Sequence, residues 1–115
     1  MAIVNITTEN DADFYRSFAY QDGSGNPINM TGAQLDMKLR RNVEDATVFV
    51  ELSTATGEIV LVNPIGGVFT IKIVKETLLD LSAGDYAQSL IMTDTTGLRM
   101  RIWHGILTNT LGPSR

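Results

Sequence analysis

No cysteine occurs among the 115 residues, which excludes a disulfide framework and any thiolate metal site and fits synthesis in a reducing compartment. Lysine and arginine are outnumbered, 9 against 13 acids, for a net charge of −4. A general nucleic-acid binder needs the opposite balance to displace counterions from phosphate, so no nucleic-acid partner is expected. No run approaches the ~20 apolar residues of a membrane helix. The opening "MAIVNITTENDADF" lacks the basic head and long apolar run of a secretory signal. The expectation is a soluble protein made in the cytoplasm, with no membrane partner. A single histidine and a single tryptophan leave few residues for acid–base or nucleophilic chemistry.

What is present is alternation. Leu35, Met37 and Leu39 interleave with Gln34, Asp36, Lys38 and Arg40, and Phe69, Ile71 and Ile73 interleave with Thr70 and Lys72. Leu98, Met100, Ile102 and Ile106 share one parity, and Arg99, Arg101 and Trp103 share the other. Period two over many segments marks half-buried antiparallel strands. Turn chemistry separates them at "DGSGNP", "RNVEDA", "STATGE", "NPIGG", "SAGD" and "DTTG". Strands are expected over 3–7, 12–20, 33–41, 46–52, 58–63, 67–74, 84–93 and 97–109. Short strands at this spacing predict a sandwich or small barrel. The exception is "KETLLDLSAG", where Leu78, Leu79 and Leu81 are too close for a strand and predict one helical turn stopped by Gly84. With 43% hydrophobic residues and no linker or repeat, the chain reads as one β domain over residues 1–115. Residues 1–8 form a candidate pairing arm, and residues 110–115 a flexible tail after the Gly-Pro break.

Candidate sites are few. "DGSGNPINMTG" (residues 22–32) lacks the lysine of a P-loop and the third glycine of a dinucleotide fingerprint. Asp22, Ser24 and Asn26 match the first, third and fifth positions of a calcium loop. Pro27 and Ala33 then stand where the loop needs glycine and a bidentate glutamate, so the stretch reads as a strand connection. Domain stability should not depend on a metal, and no cofactor is expected. His104, flanked in parity by Ile102 and Ile106, reads as a packed core residue rather than a base. Asp11/Asp13 and Glu44/Asp45 read as solvated charges. The chain is therefore expected not to be an enzyme. Arg99, Arg101 and Trp103 form the strongest candidate for partner binding, three long side chains on one strand face, joined by Tyr15, which faces out while Phe14, Phe18 and Tyr20 face in. The inward set is Leu35, Leu39, Phe69, Ile71, Tyr86, Leu90, Met100 and Ile102.

The aromatic strand "FYRSFAYQDGSGNP", the step Met30-Thr31-Gly32, the strand ending in Arg40 and the crossover through Thr77, Leu81, Ala83, Gly84 and Tyr86 follow in order, with Gly105 on the last strand. This succession resembles a family of small tailed-bacteriophage virion proteins related to the N-terminal immunoglobulin-like domain of the baseplate upper protein. Met30 replaces the usual leucine, and Gln88 stands where a second aromatic is common. The resemblance implies an all-β, antiparallel immunoglobulin-like sandwich of about eight strands, with Tyr86 as a corner tyrosine. It also implies a place in the virion after synthesis in the bacterial host cytoplasm, as a tail or baseplate adaptor binding other virion proteins in many copies or as a homo-oligomer. The alternatives are a capsid decoration protein and a small carbohydrate-binding sandwich that stacks sugars on Trp103 with Tyr15 or Tyr20.

Overall fold

The structure, a computed structural model, describes residues 2–114. Nine strands and one short helix follow in chain order: β1 (Ala2–Ile3), β2 (Ile6–Glu9), β3 (Phe14–Ala19), β4 (Gln34–Arg40), β5 (Val50–Ser53), β6 (Ile59–Asn63), β7 (Val68–Ile73), α1 (Lys75–Asp80), β8 (Gly84–Thr93) and β9 (Arg99–Thr110). The larger sheet runs β1-β9-β8-β4-β5, with β2 continuing β1 along β9, and the smaller runs β3-β7-β6. All pairs are antiparallel except β1 and β2, which lie parallel to β9. The candidate arm over residues 1–8 is thus built into the sheet as far as it is described, with Ile6 in the core. Met1 lies outside the described residues.

The fold is an immunoglobulin-like β-sandwich. Its two sheets reproduce the B-E-D and C′-C-F-G orders of that architecture. Tyr86 is the third residue of β8, just past the crossover, and its hydroxyl donates to the Ser82 carbonyl at 2.6 Å, the corner-tyrosine arrangement. Arg41 lies over the Tyr86 ring, 4.3 Å from its centroid, and donates to the carbonyls of Asp85 and Ala83. Its cation thereby covers the ring and ties down the crossover.

The alternating residues meet between the sheets. Leu35, Met37 and Leu39 of β4, Leu90 and Met92 of β8, and Phe69, Ile71 and Ile73 of β7 are all buried in one cluster. Burial of one such side chain is worth about 1.5–3 kcal/mol. Thr70 is buried as well, although it faces away from that cluster: Ser17 and Val60 flank it on the outer side of the smaller sheet.

Three expectations need correction. Residues 46–49 are not strand, and the segment pairs only from Val50. The helix ends at Asp80, with Leu81 already extended, so Gly84 begins a strand rather than stopping a helix. No side chain of Val74 caps its start. The Lys75 amide instead donates to the Asp13 carboxylate at 2.7 Å, a cap supplied from 62 residues away. Met100, expected inside, is 37% exposed at the start of β9.

The read tail is hydrogen-bonded where it is described. The Gly112 amide donates to Asn10 Oδ1 at 2.8 Å and the Ser114 amide to Asp11 Oδ2. Arg115 lies outside the described residues.

Candidate functional site

One irregularity decides what the outer face of the larger sheet presents. The β8–β9 register slips between Leu90 and Ile91, so that Leu90 opposes Trp103 while Ile91 opposes Arg101. Ile102 is the extra residue of a β-bulge. Ile102 and Trp103 are both buried in succession, and every side chain beyond them changes face relative to simple alternation. Trp103, expected outside with the arginines, is 4% exposed. His104, expected inside, is exposed.

The inward turn of Trp103 is held by contacts on both sides of the sandwich. Its ring lies 4.8 Å from that of Phe18 and 5.8 Å from that of Phe69, so it bridges β9 to the smaller sheet. Its indole N–H donates to Gln88 Oε1 at 2.9 Å, and Gln88 Nε2 donates to the Val4 carbonyl at 2.8 Å. An indole can only donate and a carbonyl only accept, which fixes the orientation of the amide between them. Gln88 is a polar residue at an inward position between Tyr86 and Leu90. It is the partner that a buried tryptophan requires, and it was the one signal in the sequence that Trp103 faces in.

The outer face that remains is a basic groove. Its floor is the outer row of β8, Ala87, Ser89 and Ile91, with Gly105 beside it on β9. Longer side chains rise on both sides, because Lys38 and His104 flank Ser89 while Asp36 and Arg101 flank Ile91. With strands spaced at about 4.8 Å, the two walls stand roughly 10 Å apart. The groove encloses about 320 Å³ and opens, past Val43, Ala87, His104 and Gly105, into a second depression of about 650 Å³ bounded by Ile3, Arg41 and Ile106.

Lys38, Arg40, Arg99 and Arg101 are four of the nine basic residues of the chain. Asp36, Glu51 and Asp85 on the same face are three of its thirteen acids. This face therefore carries +1 and the rest of the chain −5, within a total of −4. Arg99 lies 4.0 Å from Asp36, an exposed pair worth little. Arg40 donates to the carbonyls of Asp45 and Ala46 and so shapes the loop that carries Val43, which is 82% exposed at the rim. Among the described residues, no carboxylate lies within 4.0 Å of Lys38 or Arg101.

Of the sequence candidates, the structure joins Arg99 and Arg101 and separates the other two. Trp103 is core, and Tyr15, 66% exposed, lies on β3 of the opposite sheet beside Lys72. The sugar platform of Trp103 with Tyr15 or Tyr20 is thus not assembled. Lys38, Arg40 and His104 were missed. The first two looked like ordinary outward residues of an amphipathic strand, and the third was hidden by the bulge.

The loop over residues 22–32 begins with a closed turn. Asp22 Oδ1 accepts the amides of Ser24 and Asn26 at 2.8 and 3.0 Å. These bonds, the Asn26 amide first, hold its carboxyl below the usual aspartate range. Asp94 repeats the device before Leu98, with the Thr96 hydroxyl as the main cause of its lowered pKa.

No protein-family model matches the chain, and no curated protein matches it in sequence. Among solved structures, the N-terminal domain of phage TP901-1 ORF48 superposes with a TM-score of 0.51 at 14% identity, covering 94% of this chain and 84% of that one. A structure of Dpr1 IG1 bound to DIP-eta IG1 gives a TM-score of 0.46 at 18% identity, over 96% of this chain and 91% of that one. At 14% identity the first likeness is one of fold.

Proposed function

We propose that this chain is a non-enzymatic structural protein of a tailed-bacteriophage virion, acting as a tail or baseplate adaptor that binds other virion proteins in many copies. The observation that carries the reading is the likeness of fold to the N-terminal domain of a phage protein over 94% of this chain. The surface is in keeping with it. The lone histidine stands exposed in an open groove, and four of the nine basic side chains lie on one open sheet face, where complementary charge steers a protein partner. Repetition in a particle would let a modest contact suffice, since linked copies raise the effective concentration of each next contact.

The reading is tested on particles released from a producing host, labelled with gold-conjugated antibody against this chain. Label at the tail end is the expected result. Label spread over the capsid would instead establish the decoration role, and particles without label would overturn a virion protein altogether.

A further inference from the structure

We infer that the groove over β8 is a docking site for an extended protein segment that is acidic at one end and apolar at the other. The inference deepens the assembly reading by naming the chemistry of the partner, and it rests on the composition of the groove from end to end. Where Arg99, Arg101 and Lys38 stand, the lining is cationic against a molecule that is otherwise strongly acidic. Past His104 and Gly105 the exposed aliphatic side chains of Ile106, Val43 and Ile3 line it, with Arg41, Glu44 and Asp85 at its border. Charge complementarity selects carboxylates for the first half. Exposed aliphatic side chains side by side in a depression select apolar side chains for the second.

The same lining disfavours other anions. Nucleic acid would need aromatic platforms for its bases, and the single tryptophan of the chain is turned into the core. The tyrosine bordering the apolar half, Tyr86, is fully buried with its hydroxyl bonded to Ser82. Inorganic phosphate would satisfy the basic end and leave Ile106, Val43 and Ile3 in water.

Recognition must go through side chains. The floor strand β8 is paired on both sides, by β4 and β9, so it has no free edge for an added strand. The small outward floor residues Ala87 and Ser89 leave a channel in which an extended chain lies between the walls. From Arg99 to Ile106 the groove follows eight residues of β9, or roughly 26 Å at about 3.3 Å per residue.

The test is fluorescence anisotropy with the purified full-length chain. The probes are a labelled peptide of about eight residues with glutamates in one half and leucines in the other, a scrambled peptide of the same composition, and single-stranded oligo-dT. The block peptide should bind, lose affinity with added salt, and bind better than both others. Lys38→Glu with Arg101→Glu should weaken it at least about tenfold, and Ile106→Asp should weaken it several-fold. These residues point outward, and an unchanged melting temperature separates lost contact from lost fold.

Equal binding of block and scrambled peptides would overturn the two-ended groove, as would tighter binding of oligo-dT. Sedimentation showing self-association abolished by Arg101→Glu would overturn it in favour of a second copy as the occupant. Since these measurements need no particle, failure of the groove and failure of the virion reading are seen separately.

Discussion

Replacing Gln88 by leucine isolates the interaction on which the inward turn of Trp103 depends. Gln88 is buried, and its amide joins the buried indole N–H at 2.9 Å to the half-buried Val4 carbonyl at 2.8 Å. Leucine fills a similar volume but leaves both without a partner. A buried unsatisfied group costs about 1–3 kcal/mol, and the added apolar burial offsets part of the loss. The expected net destabilisation is about 2–4 kcal/mol. At roughly 4 °C per kcal/mol for a chain of this length, the melting temperature should fall by about 8–16 °C. Urea denaturation followed by circular dichroism gives the free energy directly, with or without the sole tryptophan. In the native protein the emission of Trp103 should be blue-shifted and protected from acrylamide. Trp103→Phe removes the indole donor, so the double variant leaves only the Val4 carbonyl unmatched. The two losses should therefore be less than additive by about 1 kcal/mol or more. A Gln88→Leu protein within about 0.5 kcal/mol of the parent, or strictly additive losses, would refute the network.

Gly105→Ala should destabilise through the N-terminal strand, because its Cβ would run into the carbonyl oxygen of Val4. Faster hydrogen exchange at the Val4 amide, which donates to the His104 carbonyl, would report it, and unchanged exchange would count against that close approach. Asn109→Leu should cost about 2–4 kcal/mol, since Asn109 Nδ2 donates to the carbonyls of Leu78 and Leu81 and Oδ1 accepts from Thr8. Chemical denaturation measures this, and Asn109→Leu matching the parent would contradict the three-way tie. Asp22 and Asp94 have folded pKa values below their ordinary 3.8. Their stabilising contribution is present above that value and is lost as pH falls through the lower folded pKa. NMR titration of the carboxyl carbons should find both midpoints below 3.8, and Thr96→Val should raise that of Asp94.

The strands, the turns and most of the core were legible in the sequence. Period two and local turn chemistry are properties of neighbouring residues, as Leu35-Met37-Leu39 and the Asp22 turn illustrate. The crossover helix was legible too, from the spacing of Leu78 and Leu81, although its N-terminal cap was not, because Asp13 belongs to a different strand connection. What only the tertiary structure decided was register. A single inserted residue at Ile102 costs little locally, yet it reverses every side chain that follows. It exchanges Trp103 for His104 on the outer face and turns an expected aromatic patch into a basic groove. The bulge is favoured because Trp103 then meets Phe18 and Phe69 from the other sheet and Gln88 from the next strand. None of these partners is near it in sequence, so only the assembled sandwich brings them within reach.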